Sequence, residues 1–526
     1  MFRHLLDSNP PRPRVARALA AALLALAVAA CGGGGSDSGA SSSSGDVDGN
    51  TYSTAADASL STPNEATSVT HGSLTLGGTA VAYTATAGHL TATNTAGQPE
   101  ASFFYVAYTA DGASAAARPI TFLFNGGPGS ASVWLHLGSW APKRLVTGVP
   151  ATTQSAPFPY VDNSESLIDT TDLVFVDAVG TGLSEAIAPN TNQTFWGVDA
   201  DAAVVRDFIQ RYLTVNGRAA SPLFVYGESY GTVRAPLVAS LLETAGVPVD
   251  GVVLQSSIVD YASNCSIALP SPPTVSCAGA LPTYAAVGAF YGKVQPPPAD
   301  VTSFLAQMRT YADSTYDMEA RQWLALGGPA SPPPGADVAT LVADTGLPAA
   351  SWDARFDLDY DTFRHDLIAG STLGVYDGRM SALVGSPLDA QDDPSSTFLD
   401  TPFQQAIDTV LPGTLGFTHA SPYVMMSGAI NTWDFSHAGH SLPDVVPDLA
   451  AAIALDPHLK VLSLGGHHDL ITPFHQTEID LARLGHAAPL TQSFHDGGHM
   501  TYLDDHTRPL MKADLTAFYA AAVGGR

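Results

Sequence analysis

Five short runs along the chain are apolar at nearly every position: Ile120 to Phe124, Leu173 to Val176, Leu223 to Tyr226, Val252 to Leu254 and Val461 to Leu464. A strand with one face in water alternates apolar and polar residues. A continuous run fits a strand covered on both faces, the habit of parallel sheets. Between the runs the period changes. Val198, Ala202, Val205, Ile209 and Tyr212 recur at spacings of four and three, one apolar stripe of a helix, and Met511, Leu515, Phe518 and Ala522 repeat it near the end. Strands alternating with helices predict an α/β fold, a mostly parallel central sheet with flanking helices and right-handed crossovers. Ahead of it, from Ser68 to Thr109, β-rich runs such as Ser73 to Leu76 and Ala101 to Tyr108 are separated by Gly and Asn, which predicts an antiparallel preamble. From about Asp260 to Asp400 the alternation is lost, and proline clusters at 270–273, 296–298 and 332–334 punctuate short helical pieces. An inserted cap, not an independent domain, is expected there.

The N-terminus follows none of these patterns. Arg3, Arg12, Arg14 and Arg17 stand against one acid, Asp7, and Ala18 to Ala30 is an unbroken apolar run of 13 residues. A bilayer span needs about 20, so this reads as the core of a signal peptide. It ends Val28-Ala29-Ala30-Cys31, which resembles the lipobox of bacterial lipoproteins, where the cysteine is lipidated and the cut falls just before it. A plain secretory signal is the alternative. Gly32 to Gly49 is nearly all Gly, Ser, Ala and Asp, a flexible tether. The expected organisation is a signal peptide over 1–30, a tether over 31–50, a β region over 51–115, the first part of the core over 116–260, the cap over 261–400 and the second part of the core over 401–526.

The chain has 526 residues with 49 Asp and Glu against 22 Lys and Arg, a net charge of −27. A length of this order buries a large core and excludes wholesale disorder. The acidic balance disfavours nucleic acid as a partner and does not attract the chain to anionic lipid, so membrane attachment rests on the lipid at Cys31. Gly32 after the cysteine, in place of an aspartate, leans toward an outer-membrane or periplasmic-face position at the cell envelope. Once Cys31 is set aside, Cys265 and Cys277 remain as a pair, expected to bridge in an oxidising compartment; a metal clip is the alternative, but further ligands are missing nearby.

The chemistry lies at the ends of the buried runs. The run ending at Tyr226 leads into Gly227-Glu228-Ser229-Tyr230-Gly231 and a helix-like stretch through Leu242. That is G-x-S-x-G between strand and helix, where a sharp turn exposes the serine hydroxyl. A hydroxyl needs a base, and the base needs an orienting carboxylate. In chain order Ser, Asp, His, the natural partners are Asp469, just past the run Val461 to Leu464, and His499, in Gly497-Gly498-His499 before the final helix. His495 and Asp496 are the nearest competitors. Asn125-Gly126-Gly127-Pro128-Gly129 follows Phe124, and the N–H groups of Gly127 and Tyr230 are the expected oxyanion donors. A phosphate-binding glycine loop is disfavoured because no Lys-Ser/Thr follows.

Together, Asn125 to Ser130, Phe175-Val176-Asp177 with Val179 to Ser184, Gly227 to Gly231 and Gly498-His499-Met500 resemble the serine carboxypeptidase family over roughly 115–260 and 455–525. The resemblance implies an α/β-hydrolase without cofactor that removes C-terminal residues from peptides through an acyl-enzyme. It also implies that Asn125, Gly126 and Glu228 grip the substrate's terminal carboxylate. Two positions depart from the family pattern: Ser139 stands where a second glutamate is expected, and Leu123 where a tryptophan is. An esterase or acyltransferase on the same scaffold is one rival reading, and a catalytically silent surface-binding protein is another. His437 and His440, and His467, His468 and His475, offer no recognisable metal frame, so no metal is expected. Trp134 and Trp140 read as core or cleft wall, and Asp177 as structural.

Overall fold

A computed structural model describes residues 47–265 and 275–524. The predicted signal peptide, Cys31 and nearly all of the tether lie outside the described residues. The chain from Val47 onward is one compact unit. Among the described residues no helix is long and apolar enough to cross a membrane.

The central sheet is built from β1 (Thr67–Leu76), β2 (Thr79–Thr93), β3 (Pro99–Ala110), β4 (Ile120–Phe124), β5 (Asp172–Val176), β6 (Leu223–Ser229), β7 (Gly251–Ser257), β8 (Lys460–Gly466) and β9 (Leu490–His495). Their spatial order is β1-β2-β3-β5-β4-β6-β7-β8-β9, with the two-residue strand Glu185–Ala186 beside β3. β1, β2 and β3 form an antiparallel meander that joins β5 antiparallel, and every pairing from β5 to β9 is parallel. Each continuous apolar run of the sequence is a strand of the parallel half. β4, β5 and β7 are buried at every position. β9 is the edge strand and only half buried, which is why its sequence lacks such a run.

Helices cover both faces. On one, α2 (Val198–Val215), α3 (Gly231–Thr244) and α4 (Val446–Leu455) bury Phe208, Val238 and Leu449 against Phe122, Val225 and Val252. On the other, α1 (Val133–Gly138), the helix Pro394–Gly413 and α6 (Arg508–Gly524) bury Leu135, Phe403 and Leu515. Each such side chain contributes about 1.5–3 kcal/mol by leaving water. The start of the unit is fastened to β2 by a buried pair, Asp48 Oδ2 2.8 Å from His89 Nδ1, with Tyr52 stacked on the His89 ring at 4.3 Å and its hydroxyl 2.5 Å from the same carboxylate.

The segment after β7 carries short helices, among them Leu281–Phe290, Val301–Tyr311, Asp317–Ala325 and Val338–Thr345, and a hairpin, Ser371–Leu373 with Ser381–Leu383. It buries Tyr284, Trp323, Trp352 and Phe356. Cys265 and Cys277 form a disulfide. A closed loop of this length contributes about 3 kcal/mol in the chain-entropy account. The segment docks on α5 (Phe474–Ala482) through charge: Arg309 Nε is 2.7 Å from Glu478 Oε2, and His475 lies 2.9 Å from Asp313 and 2.7 Å from Glu478.

Candidate active site

Ser229 closes β6 with φ +60, and α3 begins two residues later. A non-glycine residue in that left-handed region is strained by about 1–3 kcal/mol and persists only where its surroundings impose it. Here they do. A Cβ on Gly227 would lie 1.9 Å from the Gly231 carbonyl oxygen, and one on Gly231 would lie 2.7 Å from that of Phe124, so the turn closes only with glycine on both sides of the serine. Thr232 Oγ1 donates to the Ser229 carbonyl at 2.6 Å and accepts from Ile258 N at 2.8 Å, pinning the turn to the end of β7.

Asp469 follows β8, and His499 follows β9. His499 Nδ1 is 2.8 Å from Asp469 Oδ2, and both residues are buried. The carboxylate is held by the N–H groups of Ile471 and Thr472, at 3.1 and 3.0 Å, and by Thr472 Oγ1 at 2.5 Å. With Nδ1–H committed to Asp469, Nε2 is the nitrogen left to act as base. Burial alone would push the imidazole down; Asp469 first, then Glu228, outweigh it and raise it above the ordinary histidine value. The His499 carbonyl accepts from Ser256 Oγ at 2.6 Å, and its N–H donates to the Tyr376 carbonyl at 2.6 Å. Ser256 follows Gln255, which pairs with Glu228 across β6 and β7, so these bonds fix the histidine loop at the sheet end that carries Ser229.

Glu228 is buried beside the serine, and its Oε1 accepts from Asn125 Nδ2 at 2.7 Å. Burial pushes its carboxyl up to about 7, with His499 opposing and Asp469 adding to the rise. Asn125 is itself locked: its Oδ1 accepts from Leu135 N at 3.0 Å and its carbonyl from Arg234 Nη1 at 2.8 Å. A Cβ on Gly126 would lie 2.3 Å from Tyr230 N, so the 125–129 loop and the serine turn run backbone against backbone. Gly127 has φ +104, which also requires glycine.

Two charged groups and a tyrosine that hold this frame escaped the sequence reading. Arg234 makes a buried double contact to Asp201, with Nε 2.6 Å from Oδ2, and its guanidinium lies 5.1 Å from the Phe124 ring centre and 5.4 Å from that of Tyr230. Asp201 is one of several charges in α2 and nothing singled it out, whereas Arg234 stands alone in the apolar stretch from Gly231 to Leu242, and that was the available signal. Tyr376, whose ring is 5.2 Å from that of His499, comes from the proline-punctuated segment after β7, where no pattern pointed to it. The competitors are engaged elsewhere: His495 Nε2 is 2.7 Å from Asp514, and Asp496 is 3.3 Å from His467. His437 sits between Asp199 at 2.6 Å and Asp448 at 3.0 Å. The described group closest to a metal-ligand set is Asp361, His365 and Asp392, but Arg364 Nη2 already bridges its two carboxylates at 2.8 and 2.5 Å. Trp140 is fully buried, while half-buried Trp134 packs on Phe403 at 4.7 Å.

A mostly parallel sheet in which β6 turns sharply at a strained serine, with an aspartate after β8, two strands along, and a histidine after the edge strand β9, is the α/β-hydrolase fold. Within that class, residues 77–256 match the family model for serine carboxypeptidase. The match ends at the strand that carries Ser256, short of Asp469 and His499. No curated protein matches the chain. Among solved structures, a prohormone-processing carboxypeptidase from Saccharomyces cerevisiae is 14% identical, with 82% of this chain and 91% of that one covered at a TM-score of 0.49. A proline iminopeptidase from Mycobacterium smegmatis is 15% identical, with 83% and 98% covered at 0.35. A thermostable carboxyl esterase from Bacillus coagulans is 12% identical, with 83% and 99% covered at 0.35.

Proposed function

We propose that the chain is a serine carboxypeptidase in which Ser229 is the nucleophile, His499 the base and Asp469 its orienter. The observation that carries this reading is the buried Glu228 carboxyl, hydrogen-bonded to Asn125, directly beside the strained serine. Ser229 Oγ attacks the last peptide carbonyl as its proton passes to His499 Nε2, and Asp469 stabilises the imidazolium. The N–H groups of Gly127 and Tyr230 receive the oxyanion. His499 then protonates the departing amine, the C–N bond breaks, and water releases the acyl group by the same steps in reverse order of roles. Asn125, Gly126 and a protonated Glu228 hold the substrate's terminal carboxylate. A carboxyl pushed up to about 7 stays neutral through the acid range, so it donates a hydrogen bond where an ionised one would repel.

Hydrolysis of free-acid peptides therefore needs Glu228 protonated and His499 neutral. It peaks where these conditions overlap and falls on the alkaline side, whereas a simple ester needs only a neutral His499 and keeps its rate as pH rises. The test is mass spectrometry of a blocked dipeptide incubated with the protein and with Ser229→Ala across pH 4 to 8. Release of the C-terminal amino acid by wild type alone is expected. Ser229-dependent cleavage of a simple ester with no amino-acid release would replace the reading by an esterase. That second reading has its own support: Ser139 turns its Oγ back to the Leu135 carbonyl at 2.5 Å and brings no second carboxyl to Glu228.

The disulfide suits an exported protein. We place the chain at the bacterial cell envelope, held by lipid on Cys31 with the tether over 31–50 as spacer. Release of Cys31→Ser into the soluble fraction is the expected result, and retention of that variant in the membrane fraction would count against a lipid anchor.

A further inference from the structure

Asn125 occupies only one oxygen of the Glu228 carboxyl. The other, Oε2, is a buried atom without a hydrogen-bond partner, and so is the hydroxyl of Tyr502. Tyr502 lies close enough to act on the ionisation of Glu228, and Glu228 on that of Tyr502, although the hydroxyl stops short of a formed hydrogen bond. Tyr502 is also within reach of Asn125. A buried donor and a buried acceptor left unpaired are both unfavourable, so a small approach of the two groups is favoured.

Tyr502 is firmly placed for this. It stands three residues after His499 in the turn Thr501–Leu503. Its carbonyl and that of Gly138 accept from Arg508 Nη1, the latter at 2.7 Å, while Ser139's accepts from Nη2 at 2.7 Å. Its ring packs against Gly138, where an added Cβ would sit 3.0 Å from Cε2. One buried guanidinium thus clamps the tyrosine against the very turn whose own side chain, Ser139, points away.

We propose that Tyr502 is a positioning residue for Glu228: its hydroxyl addresses the carboxyl oxygen that Asn125 leaves free and so sets the pH at which this carboxyl gives up its proton. The inference rests on the carboxypeptidase reading for its kinetic consequence, not for its physical content. The groups that bear on Glu228 are His499 and Asp469 from the loops beyond β9 and β8, Tyr226 on its own strand, Asn125 from the end of β4, and Tyr502. A hydroxyl that donates to a carboxylate stabilises the ionised form. Removing it leaves burial less opposed, and Glu228 holds its proton to higher pH.

The experiment is the pH dependence of KM for a blocked dipeptide in wild type, Tyr502→Phe and Glu228→Gln, with an infrared titration of the Glu228 carboxyl band, identified by its absence in Glu228→Gln. Tyr502→Phe keeps the ring and its packing, so the fold is retained. In that variant the alkaline rise in KM moves up by about one pH unit. In Glu228→Gln the rise disappears. A rise at the wild-type pH in Tyr502→Phe overturns the proposal, because a purely structural tyrosine would change stability and leave the rise in place. If wild type takes amidated and free-acid peptides equally, the carboxypeptidase reading falls, and the infrared titration alone decides. An upward shift of the carboxyl band in Tyr502→Phe upholds the positioning role, and an unshifted band ends it.

Discussion

Two regions of this molecule each bury a lone carboxyl group at the C-terminal end of the parallel sheet, and they are nearly matched. Asp177 follows β5 and Glu228 lies at the end of β6; burial pushes each up to about 7, and each has one oxygen hydrogen-bonded and one without a partner. What the free oxygen faces separates them. Around Asp177, Oδ1 accepts from Ser132 N at 2.8 Å and Tyr423 Oη at 3.0 Å, and Oδ2 is walled in by backbone, since a Cβ on Gly182 would lie 1.9 Å from it. Glu228 instead shares its surroundings with His499, Tyr502 and the serine turn. A raised carboxyl reports burial. Only its neighbours tell a knot that fastens loops from a group set beside the serine turn.

The largest effect that tests this contrast lies outside both carboxyls. Asp469→Asn, which leaves the imidazole without its anion, lowers kcat by about 10⁴-fold on peptide and ester alike. A loss of less than tenfold would mean that another group orients His499. Next comes Glu228→Gln. A carboxamide imitates the protonated acid, so turnover of free-acid peptides below pH 6 stays within about tenfold of wild type while the alkaline decline vanishes. A decline that persists would belong to a different group.

Asp177→Asn should have the smallest effect on catalysis and a clear one on stability. A carboxyl whose pKa is raised by folding contributes stability below its unfolded value and loses it as pH rises through the folded one. Asp177, Glu228, Asp357 and Asp480 are all pushed up to about 7, so the melting temperature falls from pH 5 to pH 8. At the acid end, Asp48 and Asp496, held down to about 2, lose their contribution as pH drops through that value. Asp177→Asn makes the fall between pH 5 and 8 shallower and leaves activity per folded molecule intact. Lost activity with an unchanged melting curve would move Asp177 into the working site.

Much of this architecture could be read from the chain because both parts of the signal are local. Burial on two faces writes itself as apolar runs, and Ile120–Phe124 forms a strand over just those residues. The serine turn needs glycines on both sides within five residues. Longer links left no such trace. β2 spans Thr79–Thr93 as small alternating Ala and Thr, whose apolar contrast is weak. Tyr376 meets His499 across more than a hundred residues of chain, through a main-chain carbonyl that any residue supplies. Arg508 serves the Gly138 turn from the far end of the sequence. Contacts of that kind are set by topology, and a pattern search along the chain does not register them.

The bond from His499 N–H to the Tyr376 carbonyl bears on how such a fold can vary. The segment after β7 grips the histidine loop through this backbone bond as well as through the Tyr376 ring, so the bond itself endures any change of side chain that leaves the backbone path in place. Its length and path are not equally free: the backbone N–H of Tyr376 lies 3.2 Å from Ser395 Oγ, so this stretch is spliced between the loop and the helix Pro394–Gly413. Shortening the segment would therefore release the His499 loop, whereas replacing the segment around this short stretch would leave that loop held.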